Sequence, residues 1–110
     1  MTRLWNIDPT KLCQQHLLGE HKEMHQEAGT LHNHPHGEAI VKGHAEKGQV
    51  DTSLIQERHD ELAEELRRRG MNHESPLDFE DTLGIGYVDV EANRVDLADR
   101  CDDCKERLDV

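Results

Sequence analysis

Residues 53–70, SLIQERHDELAEELRRRG, decide the fold. Ile55, Leu62 and Leu66 recur at the 3.6-residue helical spacing and supply a single apolar stripe. Ser53 and Gln56 stand at capping-box spacing. Arg67, Arg68 and Arg69 gather at the negative pole of the helix dipole before Gly70 ends the helix. A helix apolar on one side only must bury that side against other elements, and the flanking sequence offers helices to do it. Asp8-Pro9 reads as an N-cap followed by the first residue of a helix over about 9–28, thinly covered by Leu12, Leu17 and Met24 and ending before Gly29. A second helix is expected within 36–47, burying Ala39, Ile40 and Val41 and closing at Gly48, and a last one over about 91–108. Residues 71–90 contain Pro76, Gly84 and Gly86 and read as irregular, with a short extended piece at 85–90. The fold class is therefore all-α, a small compact bundle of three to four helices forming one domain over 1–110.

Composition narrows the function. A chain of 110 residues buries roughly two-thirds of its unfolded surface, enough for one modest core. No stretch approaches the ~20 apolar residues of a membrane span, and no apolar run follows Met1 as a signal peptide requires. Trp5, Phe79 and Tyr87 are the only aromatics, too few for a single-strand stacking platform. Acids outnumber bases by 24 to 13, for a net charge of −11. A charge of that sign repels phosphates, so any DNA contact must come from a few placed bases and from shape. The acids are dispersed and lysine is scarce (Lys11, Lys22, Lys42, Lys47, Lys105). That surface resembles those of salt-loving organisms, where the Debye length shrinks to about 3 Å at 1 M salt. Three cysteines argue against a disulfide scaffold and for a reducing, cytoplasmic location.

The chemistry gathers in the N-terminal block. On a helical wheel Gln15, Gly19, Lys22, Glu23 and Gln26 share one face, polar throughout with an acid beside a base. Without other signals such a face is a solvated surface. Just upstream stand Thr2 and Arg3. Threonine is small enough for Met1 to be removed, which would make the Thr2 amine the new terminus. An α-amine titrates near pH 8, so near neutrality a substantial fraction is free to attack a carbonyl-like carbon and form a Schiff base. A neighbouring carboxylate could then move protons.

Thr2-Arg3, followed by Gln15-His16-Leu17, Glu20, Lys22 and Glu23, resembles the phage-type pyrimidine-dimer DNA glycosylase/abasic-site lyase family. A second block, Arg58-His59-Asp60-Glu61-Leu62 through Arg69-Gly70-Met71-Asn72-His73-Glu74-Ser75-Pro76-Leu77, is similar to a helix and turn of the same family. The resemblance implies a compact all-α protein whose N-terminal segment threads between helices. It implies that Thr2 attacks C1′ of the damaged nucleotide and that Glu23 serves glycosyl cleavage and β-elimination. Arg3, Gln15, His16, Lys22 and Gln26 would contact DNA, and no metal or organic cofactor would be needed. The implied partner is double-stranded DNA with pyrimidine dimers or abasic sites, bound by a monomer with no membrane involved. Lys22 and Gln26 stand where the family usually has arginines. The acidic stretch 99–110 replaces an aromatic, basic C-terminal segment that helps recognise the dimer. Arg3, Lys22, Arg58 and part of 67–69 are expected to leave one face less negative than the rest.

Nine histidines, with His32, His34 and His36 around Pro35, and the Cys101-x-x-Cys104 pair raise the question of metal. Leu97, Cys101, Cys104 and Leu108 recur as one buried helical stripe, so core packing is the expected role of the cysteines. A Cys₂His₂ zinc site and a redox pair are the alternatives. His32-Asn33-His34 lacks the surroundings of a metal-finger nuclease. Beside the glycosylase/lyase reading stand a non-catalytic DNA-binding or structural protein of the same fold, viral in one version, and a small zinc-stabilised interaction module.

Overall fold

The computed structural model describes residues 3–71 and 76–108. They form five α-helices: α1 (Gln14–Asn33), α2 (Gly37–Glu46), α3 (Ile55–Arg68), α4 (Val90–Arg100) and α5 (Asp102–Leu108), with 3-10 turns at Pro9–Lys11 and Thr52–Leu54. The all-α bundle is as expected, with one more helix than the sequence indicated. α1 is the central strut, packed by α2 and α3, while α4 and α5 pack on each other. Leu17, Met24, Ile55, Leu62, Leu66 and Leu97 are fully buried where these helices meet, so the stripe on α3 faces inward as its spacing predicted.

Several boundaries moved, each for a local reason. Asp8 does cap a helical turn, accepting the Thr10 N–H at 3.0 Å, but only a 3-10 turn. Leu12 and Cys13 then run extended and both are buried, because leaving the helix turns them into the core. Cys13 caps α1. Gly29 does not end α1, which runs on to Asn33. The roughly 1 kcal/mol that a mid-helix glycine costs is outweighed by burial of Met24 and Ala28 in the same helix. In α2 Val41 is buried as expected, together with Gly37 and Ala45 one turn away on either side, while Ala39 is exposed and Ile40 half-buried. Asp51 caps the 3-10 turn that leads into α3, accepting the Ser53 N–H, and Leu54 at the start of α3 makes no side-chain cap bond, so the expected capping box does not form. Gln56 instead ties down the irregular segment, donating to the Leu77 carbonyl at 2.8 Å and accepting the Phe79 N–H at 2.7 Å.

The extended piece at 85–90 reduces to one antiparallel bridge between Asp51 and Gly86. Gly86 has φ +101°, and a Cβ there would strike the Val50 carbonyl, so only glycine allows this approach. The expected single helix over 91–108 is two helices. Cys101 breaks it in an extended conformation, φ −141° and ψ 111°, so the Leu97–Leu108 stripe is not one helix face, although Leu97, Cys104 and Leu108 are buried in the core as expected.

The N-terminal segment threads between helices. Leu4, Trp5 and Ile7 are buried. The Leu4 N–H donates to the Gln49 carbonyl at 2.8 Å, beyond α2. The Trp5 N–H donates to Glu20 of α1 at 3.3 Å, and the Asn93 amide of α4 donates to the Trp5 carbonyl at 2.9 Å. Asn6 takes the left-handed conformation, φ 54°, which asparagine tolerates better than most residues, and reverses the chain towards α1.

Candidate active site

The threaded segment, α1 and α4 enclose a cleft of about 360 Å³, lined by Arg3, Trp5, Gln15, His16, Gly19, Glu20, Glu23 and Arg100. That volume lies within the range of small-ligand sites. Four residues singled out from the sequence, Arg3, Gln15, His16 and Glu23, therefore share one wall system. Gly19 removes bulk at its centre, with nothing within 4 Å of where a Cβ would stand. Lys22 and Gln26, on the same helix, are exposed and are not among the cleft-lining residues. Thr2 lies outside the described residues, as do Met1 and 72–75.

Glu23 is half-buried and accepts the backbone N–H of Arg3 at 3.0 Å. Burial pushes its carboxyl above the usual carboxylate range; the Arg3 N–H opposes this and the charges of Glu20 and Glu27 reinforce it. A carboxyl shifted upward exchanges protons nearer neutrality, the property an acid/base needs.

Arg3 is held on both sides. Its guanidinium donates to Asp96 at 2.6 Å and to Asn93 at 2.7 Å, and lies 4.4 Å from the centre of the Trp5 ring. Arg100 also bonds Asp96, at 2.8 Å, but its side chain remains 46% exposed. Of the bases expected to make one face less negative, Arg3 and Arg58 are engaged internally. Arg58 is fully buried, its Nε and Nη2 donating to Glu20 at 2.5 and 3.0 Å, because the Glu20 carboxylate beneath the cleft needs a countercharge. Arg69 points inward too, bonding Glu65 and the Pro9 and Leu12 carbonyls. Arg100, absent from the sequence reading, is the exposed cation at the cleft. No sequence signal singled it out; it is the last residue of α4.

His16 faces the cleft on one side and sulfur on the other. Its Nδ1 lies 3.1 Å from Cys13 Sγ and 3.5 Å from Cys104 Sγ. Burial, helped by the charge of Arg100, keeps its imidazole below the ordinary histidine pKa. The Cys101 thiol is lowered, chiefly by the Cys104 N–H. Burial pushes the Cys104 thiol up to about 12. The histidines suspected of joining the CxxC are elsewhere: His32 stacks on Phe79 at 5.2 Å, and His34 accepts the His36 N–H at the α1–α2 turn. A separate group of imidazoles, His21, His25 and His59, lies between α1 and α3, with His25 and His59 nitrogens 3.1 Å apart.

The sequence model of a family described as pyrimidine dimer DNA glycosylase matches residues 2–79. No curated protein and no solved structure matches the chain. Among the described residues no helix is long and apolar enough to cross a membrane.

Proposed function

The chain belongs to the pyrimidine dimer DNA glycosylase family, and from that premise we propose that it is a repair glycosylase with abasic-site lyase activity. It acts as a monomer on double-stranded DNA carrying pyrimidine dimers or abasic sites. The nucleophile is the α-amine of Thr2, freed by loss of Met1, and Glu23 is the acid/base. One observation carries this reading: the Glu23 carboxylate on the cleft wall accepts the N–H of Arg3, the residue that follows Thr2. The reading requires the Thr2 amine to act on a sugar held beside that carboxylate.

The steps follow from those groups. The neutral amine attacks C1′, and the glycosidic bond breaks with its electron pair leaving on the base. Loss of the amine proton and opening of the sugar ring give an imine. Glu23 takes a C2′ proton, and the C3′–O bond breaks with its electrons leaving on the phosphate, which nicks the strand. The nucleotide must first leave the stack, at a cost of a few kcal/mol that is smallest for a damaged base. Arg100, exposed despite its bond to Asp96, and Gln15 are the cleft residues offered to phosphate. Arg3, already held by Asp96 and Asn93, fixes the segment that carries the amine.

Borohydride trapping on an abasic-site oligonucleotide tests the proposal. The expected product is a covalent adduct that peptide mass spectrometry maps to the Thr2 nitrogen, formed only by protein whose intact mass lacks Met1. No adduct at any salt concentration, or one mapped to a lysine, would overturn it in favour of a DNA-binding protein without this catalysis. Nicking of irradiated against plain plasmid then assigns the lesion.

A further inference from the structure

Cys13, His16, Cys101 and Cys104 bring their ligand atoms within 4.8 Å of one another. Cys13 and Cys101 sulfurs are 3.9 Å apart, and His16 Nδ1 stands 3.1 and 3.5 Å from the Cys13 and Cys104 sulfurs. A tetrahedral zinc with its usual bond lengths has S–S edges of about 3.8 Å and S–N edges of about 3.6 Å. Those three separations lie within about 0.5 Å of these edges, and the remaining pairs are no more than 4.8 Å apart.

Local structure supports the same reading. Cys13 and His16 form one i, i+3 pair across the first turn of α1, with Cys13 as its N-cap. Cys101 and Cys104 form a second across the break between α4 and α5. Each sulfur accepts a backbone N–H: Cys13 from His16 at 3.4 Å, Cys101 from Cys104 at 3.5 Å, and Cys104 from Cys13 at 3.3 Å. Such donors orient and stabilise metal-bound thiolates. Core packing accounts for the burial of Cys13 and Cys104, but the single helix it assumed breaks at Cys101. Three free cysteines cannot pair off as disulfides, and apolar packing does not account for an imidazole nitrogen among them. Three thiolates and one imidazole in a tetrahedron suit zinc, and four protein ligands leave no open position for catalysis.

We propose that Cys13, His16, Cys101 and Cys104 form a closed structural zinc site that fastens α4–α5 to the start of α1. Two of its ligands lie beyond the family match, which ends at residue 79. The site thereby fixes α4, whose Asn93 and Asp96 hold Arg3. It also commits His16 Nδ1 to the metal rather than to DNA.

The test is metal content and cobalt spectroscopy of the full chain. Wild-type protein purified with zinc and dialysed is expected to retain one more equivalent than Cys101→Ser/Cys104→Ser. Cobalt in its place is expected to give the intense visible bands of a tetrahedral ion with near-ultraviolet sulfur-to-cobalt charge transfer, weakened in Cys13→Ser. His16→Cys, which keeps four ligands, is expected to retain the equivalent. Should the double serine variant fail to fold, the wild-type cobalt spectrum decides alone, because the histidine group at His21, His25 and His59 has no sulfur to give that band. Wild-type protein without a thiol-dependent equivalent, or a cobalt complex lacking sulfur charge transfer, would overturn the proposal.

Discussion

The backbone N–H of Arg3 donates to the side-chain carboxylate of Glu23 across 3.0 Å, joining positions 20 residues apart in the chain. The bond ties the segment entering the cleft to the one cleft carboxylate whose proton affinity is raised without a buried ion-pair partner. If Glu23 moves the protons, Glu23→Gln, which keeps the shape and an acceptor oxygen, is expected to lower nicking of abasic DNA by about 10²–10⁴-fold. Gel-shift affinity for the same DNA should stay within a few-fold. Equal loss of both would assign Glu23 to binding instead.

Asn93 positions the site without lining it. Buried on α4, it donates to the Trp5 carbonyl and accepts from Arg3. Asn93→Ala is expected to lose about 1–3 kcal/mol of stability and to lower the single-turnover rate while leaving the Kd for abasic DNA little changed. Thermal melts and trapping rates on the same preparation separate the two effects.

Arg100 is expected to be a phosphate contact. Its side chain is 46% exposed at the edge of the cleft, whereas Arg3 is occupied internally. Arg100→Ala should weaken binding about equally for all sequences and reduce the slope of log K against log salt by about 1. An unchanged slope would place the phosphate elsewhere.

What the sequence made legible was what lies within one helical turn. The Ile55, Leu62 and Leu66 stripe and the sharing of one face by Gln15, Gly19 and Glu23 need only the 3.6-residue period. Cys101 was misread because its spacing from Leu97, Cys104 and Leu108 matches a helical stripe, and the break there serves contacts with Cys13, 88 residues away. Arg58 was read as a surface base because an arginine is almost never fully buried unless paired. Its partner, Glu20, is 38 positions distant. The CxxC was noticed but its neighbours were not: Cys13-x-x-His16 is unremarkable until the fold brings Cys101 and Cys104 to it.

Arg58 and Glu20 form a bidentate pair from which water is excluded. Removing one partner strands a charge, at a typical cost of 3–5 kcal/mol, whereas replacing both with apolar residues is often neutral or better. Arg58→Met alone is therefore expected to destabilise by about 3–5 kcal/mol, and Glu20→Leu/Arg58→Met to recover most of it. Urea melts of the wild type, both single variants and the double variant give the coupling directly. A double variant no more stable than Arg58→Met would mean that the pair holds the threaded segment through Trp5 as well.

Stability at acid pH is expected to depend on Glu65. Arg68 chiefly, then Arg69, hold its carboxyl down to about 2 from an ordinary 4.5, against an opposing effect of burial. The folded state thus binds this proton more weakly than the unfolded state does. The stabilisation is present in full above the unfolded value and is lost as pH falls from 4.5 towards 2. Glu65 itself is 5% exposed but Arg68 is 65% exposed, so solvent screens the larger interaction and about 1–2 kcal/mol is the expected size. Melting curves of wild type and Glu65→Gln should differ by that amount at neutral pH and converge as the pH approaches 2. A gap that stays constant down to that pH would show that Glu65 acts through packing against Arg69 and the Pro9–Lys11 turn rather than through its charge.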